Sequence, residues 1–531
     1  MTAGPRRSPG GGSGSNSVLR NRVFRALVTV QLINAIAVWI HVVAVQWVLT
    51  ERGESALVIS LAPAAMAVPF ILLSMPAGVI AGYASRKKLM AGATTTSAVA
   101  AAAACVLTAV GRDQAFAMVL SVLLVGSALV LVGVPWQSLL PETVEREDIP
   151  AAAVVDGAVF NVARALGPLI AGIGLGLVGA ASTFALVSFL AAACAVLLIR
   201  SERGSPDRTH PRRPILPELV GALRFVAYSA WTTRLLVQLV LFGIPSSALW
   251  ALISLVAYDR LEMNSDGFGV IMALVGAGAV VAAFALGGLR RRLRVRTFAA
   301  LGAATYGVAL LVLAMSTSPV VVGVAVFCAG AAWVSVQSTW MSMGHQFFPD
   351  WIRPRLIAVI LLAFQGTQAV GALVWGALTD EIGLQGALAI AAAVLAVSAI
   401  SLRFVGLGAE SGIEPVLTAD VAEVGGGGAA GGGPVEVRYT YRVDDDDRAQ
   451  FHLAMRDLRR SRLRLGGRDW RLESSVDLPG EYTETYRVAD VAEFLEQERG
   501  RLTVPESALR ERVHGCAASV SGPEFRTVAG R

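Results

Sequence analysis

Residues 76–90 read PAGVIAGYASRKKLM: an apolar run stops at Arg86, Lys87 and Lys88, then resumes at Leu89. Three cations between two greasy segments make sense where a chain leaves a membrane and turns back into it. Composition extends that reading to most of the chain. Of 531 residues, 55% are hydrophobic and only 16% charged, and the mean hydropathy is +0.61. An ordinary soluble domain carries about 25% charged residues. A helix of about 20 apolar residues crosses a ~30 Å hydrocarbon core with its backbone polar groups satisfied internally. Twelve such spans are expected, at about 23–49, 57–83, 89–110, 115–140, 152–179, 181–200, 231–258, 267–289, 297–315, 319–346, 356–380 and 384–405.

The longest break, 201–230, follows the sixth span and holds Arg203, Arg208, Arg212, Arg213 and Arg224 with several prolines. It reads as a cytoplasmic connector between two six-helix halves, 21–200 and 231–405. With a cytoplasmic N-terminus, the inside loops gather Arg20, Arg22 and Arg25, then Arg86 to Lys88, Arg146, the connector, Arg290 to Arg296, Arg353, Arg355 and Arg403. The outside loops hold Arg52, Arg112 and Arg260. The asymmetry predicts a multi-pass cell-membrane (inner or plasma membrane) protein with both termini in the cytoplasm. It also accounts for the net charge of +6 without a nucleic-acid partner. Residues 1–20 are Gly/Ser-rich without an apolar h-region and read as a disordered tail, not a cleaved signal.

Soluble chemistry leaves no signature. A Walker A loop, HEXXH and C-x-x-C are all absent, so neither ATP nor a metal is expected, and no cofactor. Runs such as GIGLGLVG (172–179) lie in apolar spans and read as close helix packing.

The basic turns after the second and eighth spans sit at matching places in the two halves, and a parallel six-plus-six repeat resembles the major facilitator superfamily. That family's loop between helices 2 and 3 reads G-x-x-x-D-R-x-G/D-R-R/K; Gly78, Arg86, Lys87 and Lys88 fit it, whereas Gly82 and Tyr83 replace the Asp and Arg. The resemblance implies a cytoplasmic gate closed by other contacts, or a weaker latch. PWQSLLPETVEREDIPAAAVVDGAVFNVARALGPLIAG (135–172), GIPSSALWALISLVA (243–257) and PDWIRPRLIAVILLAFQGTQAVGALVWGALTDEIGL (349–384) are similar to the transmembrane secretion effectors, the branch of the enterobactin exporters. That resemblance implies proton-driven efflux of a small molecule, with a siderophore or a drug-like amphipathic metabolite as substrate.

Ionisable groups inside a span are costly and therefore functional candidates. Asp156 and Arg164 on the fifth span, His41 on the first and His345 near the end of the tenth are such groups. Asp156 and Arg164 are eight residues apart with Asn161 between them, which predicts a shared polar strip on nearly one face. Arg164 at mid-depth is a gating or substrate-binding candidate, or is bonded structurally to helix carbonyls. Gly167 and Pro168 thin and bend the same helix. Asp156 and His41 are the proton-coupling candidates; the alternatives are a carboxylate that complements the helix dipole and a hydrogen-bonded structural histidine. Trp39, Gln46, Trp250, Trp333, Gln337, Trp340, Gln365, Gln368 and Trp375 come from spans 1, 7, 10 and 11. In the superfamily these helices line the cavity, so they suit a bulky aromatic solute, though some read as interfacial belt or helix glue.

After a Gly-rich linker at 406–434 the character changes. VEVRYTYRV (435–443) alternates like a half-buried strand, and the pattern through 531 predicts β-α-β-β-α-β, a ferredoxin-like unit. It resembles the domains of antibiotic-biosynthesis monooxygenases and reads as a cytoplasmic interaction module through which the chain self-associates. Trp470 and His452 are its residues that evoke haem or quinone chemistry. The expected architecture is thus an all-α membrane protein with a small α+β domain, a transporter and not an enzyme. A membrane-anchored monooxygenase-like enzyme and a non-transporting scaffold are the alternatives.

Overall fold

The computed structural model describes residues 18, 20–83, 85–200, 215–349, 351–404 and 433–527. The first four spans are the helices Arg22–Glu51, Ala56–Tyr83, Arg86–Ala109 and Ala115–Thr143. The fifth and sixth form one 52-residue helix, Ile149–Arg200, broken at Gly179 with φ 81° and ψ 171°. The seventh is Ala230–Leu255, prolonged by a wide turn Val256–Arg260, and the eighth is Ser265–Ala285. Val295–Met315 and Pro319–Phe347 are the ninth and tenth. The eleventh and twelfth share Arg353–Phe404, broken at Gly383 with φ 79° and ψ 162°. Among the described residues 10 helices are long and apolar enough to cross a membrane, and the two double-length ones reverse at their glycines, giving the twelve crossings expected. Both glycines adopt a backbone that a Cβ disfavours, which lets the chain turn without a loop.

Small residues let the two halves touch, since hydrophobic burial gives helices no reason to associate within lipid. A Cβ on Gly172 would lie 2.5 Å from the Gly269 Cα, and one on Gly276 2.5 Å from the Ala165 Cα, so spans 5 and 8 meet backbone to backbone. The run expected to serve packing divides its work: Gly172 and Gly176 face span 8, and Gly179 makes the turn.

By the alternation of the spans, Arg86 to Lys88 and Arg294 share one end of the bundle, the basic end. At the opposite end Asp380 of span 11 accepts hydrogen bonds from the backbone N–H groups of Ala56 and Leu57 (2.8 and 3.1 Å), capping span 2 of the other half. The Thr50 and Ser254 hydroxyls are hydrogen-bonded there at 2.9 Å. Arg52, a cation of the sparse loops, is paired with Asp113.

The connector contains a helix that the sequence reading treated only as linker, α1 (Ile215–Tyr228). It buries Ala222 and Phe225 and exposes Val220 and Leu223.

The tail runs β1 (Val435–Arg442), α2 (Arg448–Leu465), β2 (Arg468–Ser474), β3 (Glu481–Val488), α3 (Val491–Glu496), α4 (Val504–Gly515) and β4 (Ser519–Thr527). The sheet order is β2-β3-β1-β4, all antiparallel, the arrangement of the expected β-α-β-β-α-β unit. Val435, Val437, Tyr439, Tyr441 and Val443 point inward on Phe451, Met455 and Leu458 of α2. β4 starts at Ser519, earlier than its apolar end around Phe525 indicated, because it pairs along β1 through a register shift between Arg438 and Thr440.

A charged network lies inside this small core. Arg462, 3% exposed, meets Glu484 at 3.4 Å and Glu498 at 3.0 Å. Glu484 also accepts from Tyr441 Oη and Trp470 Nε1, both at 2.8 Å. Burial, and then the Glu484 carboxylate, push the Tyr441 phenol well above its usual range. Trp470 is therefore a structural donor to a buried carboxylate. The described chain divides into two compact units: residues 1–211, 239–339 and 362–404 make one, and 212–238, 340–361 and 405–531, with the tail, make the other.

Candidate functional site

Arg164 sits in a stretch of the fifth span that packs closely on its neighbours. Gly167, one turn on, abuts Trp39 Cβ, so span 1 lies against span 5 and carries its indole to the guanidinium. The Arg164 guanidinium carbon is 4.2 Å from the Trp333 ring centroid, 5.5 Å from Trp39 and 5.9 Å from Trp250. The three indoles come from spans 1, 10 and 7, hence from both halves. They also touch one another: Trp39 and Trp250 are 5.8 Å apart, Trp250 and Trp333 6.2 Å, and Phe364 adds to Trp333 at 5.6 Å.

The negative faces of these aromatic rings attract a guanidinium. Arg164 is 7% exposed, Trp39 7% and Trp333 6%. The indole Nε1 groups of Trp39 and Trp333 have no hydrogen-bond partner among the described residues. The cluster therefore offers donors and a cation, a combination suited to a planar, acceptor-rich solute.

Around it, backbone carbonyls beside Pro245 in span 7 accept hydrogen bonds from side chains of other spans. Gln368 donates to Gly243 O at 3.1 Å, Trp375 to Ile244 O at 2.7 Å, and Tyr306 to Ser246 O at 2.8 Å. Gln46 donates to Trp250 O and Ala251 O at 2.9 and 3.2 Å, across the halves. Gln368, Trp375 and Gln46 thus act as helix glue around the cluster. Gln337 and Gln365 are half-buried on spans 10 and 11.

The strip expected along span 5 is divided by the structure. Asp156 turns to span 4, accepting from Trp136 Nε1 at 2.6 Å and Gln137 Nε2 at 2.7 Å, and does not share the surroundings of Arg164. Eight residues leave about 80° beyond two full helical turns, enough to send the two side chains to different neighbours. His41 is buried inside the first half, Nε2 2.8 Å from Ser121 Oγ and its ring 5.2 Å from Phe184. Ser121 donates its own proton to Met118 O at 2.6 Å, so His41 Nε2 is assigned as the donor.

The Asn161 side chain, Gly78, Gly82 and Tyr83 lie outside the residues whose surroundings are described. Arg86 and Lys87 are half-buried and Lys88 is exposed. Pro168 places its carbonyl at the span 5–span 8 contact, 3.2 Å from a Cβ built on Gly269. Sequence reasoning missed Asp380, Tyr306 and Phe364. Asp380 had one signal, an acid beside the 11–12 reversal; the other two had none.

Comparison with known proteins follows the same lines. Residues 13–529 match the family model of the transmembrane secretion effectors. The multidrug efflux pump Tap of Mycolicibacterium fortuitum is 27% identical over 360 residues, 65% of this chain and 86% of that protein. Tap of Mycobacterium tuberculosis (strain ATCC 25618 / H37Rv) is 24% identical over 376 residues, 68% and 89% of the two chains. Among solved structures, the nucleoside transporter NupG has a TM-score of 0.57 at 14% identity, covering 72% of this chain and 98% of its own. An inward-facing bacterial homolog to the human lysosomal transporter Spinster has a TM-score of 0.57 at 13% identity, covering 72% and 95%. These likenesses establish the major facilitator fold.

Proposed function

Because the chain belongs to the transmembrane secretion effector family, we propose that this secondary transporter exports a small aromatic, amphipathic molecule in exchange for protons, by alternating access around Arg164. The family and the efflux-pump relatives are transporters, and the chain is a multi-pass membrane protein, not an enzyme. The observation that carries the proposal is the Arg164 cluster, built by indoles from both halves. A rocking motion of the halves would open and close such a site.

In this reading the termini and the basic end are cytoplasmic, following the positive-inside rule. The contacts of Asp380, Gln46 and Thr50 then join the halves on the outer side. The solute is a drug-like metabolite or a siderophore; the three indoles around Arg164 suit one that is planar and aromatic. Proton coupling is assigned to Asp156, whose protonation removes an acceptor from Trp136 and Gln137 and so alters the contact of spans 4 and 5. His41, enclosed within the first half, is the second candidate.

The test is proton flux in proteoliposomes under an imposed pH gradient, with anionic, neutral and cationic aromatic solutes of similar size. Solute-dependent proton movement that Asp156→Asn abolishes and Arg164→Leu slows is the expected outcome. Solute movement that ignores the pH gradient would remove the coupling, and no movement of any solute would remove the exporter reading.

A further inference from the structure

The tail domain is seated on one particular face. Trp231 at the start of span 7 packs against Phe347 and Phe348 at the end of span 10, with ring centroids 5.5 and 5.6 Å apart. Phe225 of α1 meets Trp351, in the turn to span 11, at 6.1 Å. Over this aromatic floor lies Arg501 of the tail, its guanidinium carbon 4.5 Å from the Trp351 centroid. Arg501 is held ready for the contact: it donates to Leu465 O and to Glu496, both at 2.9 Å.

A second cation reaches the other way. Arg224 of α1 directs Nη1 to the carbonyls of Gly466 and Gly467, at 3.4 and 3.5 Å, just past the end of α2. Carbonyls at a helix C-terminus lack intrahelical donors and carry the negative end of its dipole, so a guanidinium suits them. Between the two contacts the domain and the helix ends enclose a recess of about 70 Å³, bordered by Trp231, Trp351, Arg464 and Glu506. All these residues fall in the same compact unit. The sequence joining span 12 to the tail is Gly-rich.

We propose that the face made by α1, the start of span 7 and the 10–11 turn is a docking surface for the chain's own tail domain, and that docking pins the basic ends of spans 7, 10 and 11 to one another. These are the spans that carry Trp250, Trp333 and Phe364, so the docked tail restrains the helices on which the central cluster depends. The surface and its occupant stand apart from the choice of solute. Only the consequence for transport rests on the exporter reading.

Hydrogen exchange read by mass spectrometry tests this on the full chain in lipid nanodiscs, comparing wild type with Trp351→Ala, Arg501→Ala and Arg224→Ala. Loss of one cation–π contact is expected to raise exchange in 215–228 and 340–361 by about two- to thirtyfold, while β1 and β3 stay protected. Arg501→Lys, which keeps the charge, should restore part of the protection. Unchanged exchange in both segments for Trp351→Ala overturns the docking surface. Faster exchange confined to 491–501 and 215–228, with 340–361 unchanged, overturns the restraint. Should Arg501→Ala also expose β1 and β3, the tail itself has loosened, and Trp351→Ala, which leaves the tail sequence intact, decides. Efflux assays on the same preparations judge the exporter reading separately.

Discussion

Two arginines in this chain are almost equally buried and live in different company. Arg462 of the tail is 3% exposed and Arg164 of the membrane bundle 7%. Arg462 meets two carboxylates, Glu484 and Glu498, and lies 5.0 and 4.8 Å from the rings of Tyr439 and Tyr486. Arg164 faces three indoles from two halves of the transporter. In the tail, opposite charges cancel and the arginine becomes part of a fixed core. In the bundle, ring faces from spans 1, 7 and 10 surround the cation, and under the proposed function that is where a solute is received and released.

The sharpest way to break this contrast is Glu484→Gln. It leaves Arg462 with half its compensation in a buried place and should cost the tail about 3–5 kcal/mol, read as lost exchange protection in β1 and β3 of the full chain. If the tail tolerates the change, Arg462 is not the structural cation described. Next comes Arg164→Leu, which should leave the bundle folded while slowing solute export by about 10- to 150-fold, the worth of a charged hydrogen bond. Loss of folded protein on size-exclusion chromatography would make Arg164 structural and erase the difference between the two arginines.

Trp333→Leu should weaken solute affinity by about two- to thirtyfold, since it removes the ring nearest the guanidinium. Equal effects on every solute tested would mean that the ring supports Arg164 and does not touch the solute. The smallest effect belongs to Asp380→Asn. Removing the charge while keeping an acceptor for the Ala56 and Leu57 amides should cost about 0.3–1 kcal/mol. Spin-label distances between spans 2 and 11 should then shift modestly toward separation at that end; an unchanged distribution would show that Asp380 caps a helix without joining the halves.

Much of the fold was legible. Both reversals fall beside the breaks expected from hydropathy, at Gly179 and Gly383. The tail's order of strands and helices along the chain followed from alternation and turn residues. Arg164 was visible because a cation in an apolar run is costly, and Trp39, Trp250 and Trp333 were visible as residue types on candidate helices. Their convergence on one guanidinium was not. Asp156 shows why spacing fails: the same helix presents it to Trp136 and Gln137, and a difference of about 80° separates two neighbourhoods. His41 finds Ser121 eighty positions away, a pairing with no local trace.

Hydropathy, charge asymmetry and turn chemistry are properties of consecutive residues, so the sequence alone determined the spans, their reversals, the tail's topology and the presence of a rare cation at mid-depth. Which indoles surround that cation, which helix Asp380 caps and where Arg501 rests depend on residues tens to hundreds of positions apart. Only the packing of helices through their small residues brings those side chains within reach, and that was decided by the tertiary structure.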